Sequence, residues 1–236
     1  MTNEDLINSY NTVHDRTWSN KDFLNENLNV SRSLYIEESI QMRIPVTKKL
    51  HVVAFLYGLP FNPDQQNDLV KFQKQVKSII GETLVYFVKP QNFGLELAVL
   101  KWPEENLKAN IIEKSIQVVT KELNKNSEVN LILNGFQINP DGCIVARGID
   151  LSGEFLALRK RIMAHDDLFP KKQSGWVHIP LGRILEPLGI EKFNELKHLV
   201  EQSIQSAPIN FGKVGRLKLV NETQWYMEER KILNEF

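Results

Sequence analysis

The run LHVVAFLYGLP, residues 50–60, is almost unbroken in apolar residues and stops at Gly58 and Pro60, the pattern of a strand buried on both faces. Ahead of it, residues 1–47 are polar and asparagine-rich. Their anchors (Leu6, Tyr10, Trp18, Phe23, Leu34, Tyr35, Ile36) follow no sustained period, as expected of an arm that packs on a domain beginning at residue 48. After the strand, Asn62 and Pro63 supply an N-cap and a first-turn proline for a helix to Ile80, with Leu69, Phe72 and Val76 on one side and Gly81 as its stop. ETLVYFV and FGLELAVL read as strands, the second alternating with Phe93, Leu95, Leu97 and Val99 inward. Pro103-Glu104-Glu105 is expected to open a helix that reaches Leu123 on a stripe of Ile111, Ile112, Ile116 and Val119.

The second half has a similar plan. VNLILNGFQI and CIVARGID flank Asn139-Pro140-Asp141-Gly142, whose proline presets φ and whose glycine accepts positive φ, so a hairpin is expected. Ser152 is placed to cap a helix carrying Phe155, Leu156, Leu158 and Ile162. WVHIPLGRIL alternates Val177, Ile179 and Leu181 against Trp176, His178 and Pro180, which describes a strand with one less apolar face. IEKFNELKHLVEQSI is an amphipathic helix, and GRLKLVNETQW leads into a tail that is helix or strand. Hairpins among helices imply an α+β fold with antiparallel or mixed sheets.

Composition narrows the function classes. Lysine plus arginine (29) equals aspartate plus glutamate (29), so no global field draws the chain to nucleic acid or an anionic membrane, and any such contact needs a local patch. No apolar run approaches the roughly 18 residues of a membrane span, and the start MTNEDLINSY lacks the basic residues of a secretory signal. One cysteine, Cys143, excludes an intrachain disulfide framework and suits the cytoplasm.

VKPQNFGLELAVL, LNGFQINPDGCIVARGI, LALRKRI, WVHIPLGRIL and LKLVNETQWYM together resemble the 2H phosphoesterase, or LigT-like, superfamily over residues 49–236. HIPLGRI is the most specific piece. The resemblance implies two pseudo-symmetric lobes, antiparallel sheets with flanking helices, around a central cleft. It also implies one H-x-T or H-x-S motif on a strand of each lobe. Residues i and i+2 of a strand project to one side, so each motif aims an imidazole and a hydroxyl into the cleft. In the family one histidine is general base and the other general acid on 2′,3′-cyclic phosphates or 2′,5′ linkages, while the hydroxyls hold phosphate oxygens.

On this chain the second motif falls on His178-Ile179-Pro180 and the first on Gly94-Leu95-Glu96. Only His178 remains of the four expected groups. Gly94 exchanges no proton, Pro180 has no hydroxyl, and Glu96 stands as an anion where a phosphate oxygen should be received. Loss of one acid or base forfeits about 10²–10⁴ in rate. The expectation is a catalytically impaired 2H-like protein that binds a nucleotide, an RNA end or a partner in the inherited cleft, with Gly94, Arg147, Trp176 and Pro180 as candidate contacts. The alternative is an atypical phosphodiesterase using Glu96 and His178 as its acid/base pair. No cofactor or metal is implied.

Each candidate has a plainer role too. Glu96 can be ion-paired or solvated, Arg147 and Arg183 can be surface or carboxylate-paired, and Trp176 can simply pack. His51 is an alternative imidazole on the apolar strand, where a buried hydrogen-bonded histidine is the plainer expectation. His165-Asp166-Asp167 has metal-ligand residue types without a second cluster. His198 falls opposite the apolar stripe of its helix and reads as solvated, His14 sits in the arm without partners, and a protein partner through the N-terminal arm stays open.

Overall fold

The computed structural model describes residues 2–107, 110–123, 128–165 and 167–236. Helices α1 (Asn3–Trp18), α2 (Asn25–Arg32) and α3 (Glu37–Gln41) precede strand β1 (Lys49–Gly58) and helix α4 (Pro63–Ile80). Strands β2 (Val85–Phe87) and β3 (Gly94–Lys101), helix α5 (Ile111–Glu122), the hairpin β4 (Asn130–Ile138) and β5 (Cys143–Asp150), and helix α6 (Glu154–Met163) follow. The chain continues through β6 (His178–Ile184), α7 (Ile190–Gln205), β7 (Ile209–Lys213), β8 (Leu217–Gln224) and β9 (Glu229–Glu235). The strands form two antiparallel sheets, ordered β3-β1-β8-β9 and β2-β6-β5-β4-β7. This is the α+β, two-lobed arrangement expected from the sequence. Among the described residues no helix is long and apolar enough to cross a membrane.

Local chemistry sets the clearest boundaries. Asn62 accepts from the Gln65 N–H while Gln65 reaches back to the Asn62 N–H, and Pro63 opens α4; such a cap contributes about 1 kcal/mol. Gly81 ends that helix at φ 59°. Gly142 closes the β4–β5 turn at φ 82°, and a Cβ there would lie 2.4 Å from the Ile184 carbonyl oxygen, so only glycine fits.

Four expectations need correction. The arm is helical, because Leu6, Tyr10 and Trp18 recur at four-residue steps on one side of α1 and are buried, although polar residues separate them. Pro103-Glu104-Glu105 opens no helix; the Glu105 carboxylate instead accepts from the Trp102 N–H in a turn, and α5 starts at Ile111. Two register irregularities in the β1–β3 pairing turn Val99 away from Phe93, Leu95 and Leu97, into the cluster with Val52, Ala54 and Leu56. The α6 N-terminus is held chiefly by Asp150, which accepts from the Phe155 and Ser152 N–H groups, while Ser152 plays the lesser part at 3.2 Å from the Glu154 nitrogen. The tail left open from sequence is the β8–β9 hairpin.

Candidate functional site

β3 brings Gly94 and Glu96 from one sheet, and β6 brings His178 and Pro180 from the other, to a single cavity of about 120 Å³. Strand periodicity does this: 94 and 96 share one side of β3, and 178 and 180 one side of β6. Leu56 and Glu222 come from β1 and β8, Val88 and Asn92 from the β2–β3 connection, and the turn Trp225-Tyr226-Met227 completes the wall. Pro180 sits where β6 loses its β2 neighbour, which pairs only with residues 182–184, and where the β5–β6 register shifts. Its missing N–H therefore leaves no interior ladder bond unmade.

The space beside Gly94 is already filled. A Cβ there would lie 3.3 Å from side-chain atoms of Leu56 and Leu59, so an imidazole at this position needs both leucines to move. The cavity thus holds one histidine. Burial, reinforced by the positive charges of Arg159 and Arg183, drives the His178 pKa down to about 4, leaving the ring neutral at pH 7. Its Nδ1 makes no well-aligned hydrogen bond with the described residues; the Trp176 carbonyl favours the protonated ring without offsetting burial.

The carboxylates shift the other way. Burial raises the Glu96 pKa, and the Arg159 charge offsets part of that rise. Burial also raises Glu222 to about 7 against the hydrogen bond from the Met227 N–H at 3.0 Å, with the Glu96 charge adding to the rise. Two buried acids that share a small space cannot both ionise cheaply. A phosphate about 4 Å from an ionised carboxylate would meet a repulsion on the order of 4 kcal/mol at an effective dielectric near 20.

Arg159 and the 225–227 turn hold these walls. Arg159, on α6, donates Nε to the Leu97 carbonyl at 2.8 Å and Nη2 to the carbonyls of Glu96 at 2.8 Å and Trp176 at 3.0 Å, its guanidinium lying 4.7 Å from the Phe155 ring centroid. One buried cation thereby ties the first-motif strand to the segment entering the second. Tyr226 (φ 60°) and Met227 (φ 58°) are left-handed, an unusual backbone for side-chain-bearing residues. Arg230 steadies the turn by donating to the Met227 carbonyl and Asn92 Oδ1, both at 2.6 Å, and the Tyr226 hydroxyl accepts from Arg183 Nε.

Other sequence candidates lie elsewhere. Arg183 is ion-paired with Asp141 at 2.7 Å and donates to Ser31 Oγ at 2.7 Å, so it knots α2 to the β4–β5 turn. Arg147 and Trp176 are off the cavity wall, beneath α1: Arg147 Nη2 donates to Asn11 Oδ1 at 3.0 Å, and Trp176 Nε1 to Ser9 Oγ at 2.8 Å. His51 is exposed at the start of β1, not buried in the core, because the apolar run is covered only from Val52 onward. His165 approaches Glu122 at 3.7 Å, and its neighbour Asp166 lies outside the described residues. No group of three metal-ligating side chains occurs among the described residues. Glu222, Arg159 and Tyr226 were missed from sequence. Arg159 alone had a signal, falling four residues after Phe155 on the apolar side of its helix.

No protein-family profile and no curated protein sequence matches the chain. Solved structures do. TT0787 of Thermus thermophilus superposes with a TM-score of 0.54 at 16% identity, over 78% of this chain and 96% of that one. Escherichia coli LigT in apo form gives 0.55 at 11% identity, over 80% and 98%. The fold is LigT-like. LigT complexed with ATP matches at 0.52 and 12% identity, over 80% and 98%. Within the LigT-like fold of this chain, the two strands singled out by the motif positions face each other across one cavity.

Proposed function

We propose that this LigT-like protein binds a nucleotide or RNA end in its cleft and does not run the paired-histidine phosphodiester reaction. The observation that carries this reading is the lone imidazole: His178 faces a cavity whose opposite strand offers Gly94, packed against two leucines, and Glu96. A neutral histidine with a pKa near 4 is a poor acid at pH 7, and no second imidazole takes the complementary role. LigT has been crystallised with ATP and with NADP+, which supports nucleotides as the first ligands to try.

A second reading has one observation in its favour, since Glu96 and His178 line the same cavity and could act as an unlike acid/base pair. One assay separates the two. The protein and its His178→Ala variant are incubated with 2′,3′-cyclic AMP and with RNA ending in a cyclic phosphate, and products are resolved by chromatography. No turnover above background is expected from either protein, and ATP should raise the melting temperature of the wild type. Turnover that disappears in the variant would establish the atypical phosphodiesterase instead. A protein partner belongs to the same proposal: Val30, Met42 and Ile44 leave apolar side chains exposed on the arm.

A further inference from the structure

We propose that α1 is a displaceable cover over an anion-binding row made by Arg147, Trp176 and His178, and that a nucleotide phosphate takes the place of α1 on Arg147. The inference rests on the nucleotide-binding reading and says where in the cleft the phosphate sits. Arg147 pairs with His178 across β5 and β6, so the two side chains share one face, and Trp176 continues it with its ring 5.9 Å from the His178 ring.

Arg147 is the most anomalous side chain on that face. It is 0% exposed, yet its hydrogen bonding is limited to Asn11, its guanidinium lies 4.9 Å from the Tyr10 ring centroid, and Nε and Nη1 find no partner among the described residues. No carboxylate among the described residues pairs with it. Gln137 Oε1 on β4, the strand paired with β5, and Asn3 Oδ1 and His14 Nδ1 on α1 are likewise buried without a partner among the described residues. Buried polar groups are ordinarily satisfied, so a surface this ill-matched to its cover is matched to something else. Unused guanidinium donors suit a pair of phosphate oxygens, and the adjacent indole can stack on a base.

Near its start the cover is held by the buried side chains of Leu6 and Tyr10 and by polar bonds: Asn3 Nδ2 donates to the Asp150 carbonyl at 2.8 Å, Trp176 Nε1 to Ser9 Oγ at 2.8 Å, and Tyr10 to the Val177 carbonyl at 2.5 Å. Its far end is anchored by Trp18 and Phe23 against Phe193, with ring centroids 4.9 and 5.2 Å away. Lifting the first three turns about that anchor extends the His178 cavity along Trp176 and Arg147. As it stands, the cavity falls below the ~300 Å³ at which pockets for such ligands begin.

The test uses the full chain and ATP as probe, with affinity from calorimetry and α1 protection from amide hydrogen exchange. Asn3→Ala loosens the cover by removing a bond from α1 to the Asp150 carbonyl, outside the row, and should tighten ATP binding several-fold and speed exchange in α1. Arg147→Met should weaken ATP binding at least about tenfold. If that variant does not fold, Arg147→Lys keeps the charge, loses the fork, and should weaken binding several-fold. ATP binding that depends on His178 but is unchanged in the loosened and Arg147 variants would overturn the cover and leave the nucleotide reading standing. Absence of ATP binding in every protein, the loosened one included, would overturn both.

Discussion

Glu222 and His178 line one cavity, and burial shifts their proton affinities in opposite directions. Glu222 binds its proton more tightly folded (about 7) than unfolded (about 4.5), so its contribution to stability is full below pH 4.5 and is lost as pH rises through 7. His178 falls from 6.5 to about 4, so its contribution is full above pH 6.5 and is lost as pH falls through 4. Each swing is on the order of 2 kcal/mol after allowance for screening, and the two nearly cancel between pH 4.5 and 6.5. Urea unfolding across this range should expose them separately. Glu222→Gln should lose stability toward acid, and His178→Gln toward neutrality; parallel curves would show that the pair is not coupled to folding. Gly94 makes a steric prediction at the same scale. Gly94→Ala pushes a methyl to 3.3 Å from Leu56 and Leu59 and should cost about 1–2 kcal/mol by the same measurement. That crowding was not legible in the sequence, where Gly94 shows only an absent imidazole.

At the level of elements, legibility followed how local the determining chemistry is. The bounds of α4 could be read because Asn62, Pro63 and Gly81 each act within a turn of their own position. The β4–β5 hairpin was legible for the same reason, and β6 because Val177, Ile179 and Leu181 mark its buried side. The arm was not, since its helices are polar overall and owe their burial to strands far along the chain, as Tyr10 does to Val177 and Gly148. Acidic residues after Pro103 suggested a helix start, but Glu105 spends its carboxylate on a turn. Glu222 and Tyr226 reach the cavity only through the pairing of β8 with β1, a contact with no local signature. Gly94 and Glu96, and His178 and Pro180, reach one cavity because a period of two is robust within a single strand.

At the scale of the whole molecule, two buried guanidinium groups play opposite parts. Arg159 donates to three carbonyls that join the sheets at the cavity and leaves only Nη1 without a partner among the described residues, whereas Arg147 donates to one side chain and leaves both Nε and Nη1 without one. Arg159→Met should therefore cost roughly 3 kcal/mol or more in urea unfolding, since charged donors contribute about 1.5–3 kcal/mol each. It should also raise the Glu96 pKa further by removing the attraction that holds it down. Arg147→Met should be neutral or stabilising, as replacement of a poorly compensated buried charge by an apolar group often is. Equal losses from the two would contradict the distinction drawn between them.

The side-chain bonds that seat α1 have a consequence for how the chain is made. Asn3, Tyr10 and Asn11 bond to residues 136–167 positions downstream, and Trp18 rests on Phe193. Residues 3–18 are synthesised well before the residues they dock on, so α1 cannot take its place until the chain through Phe193 has emerged, and its seating belongs to a late, long-range step of folding.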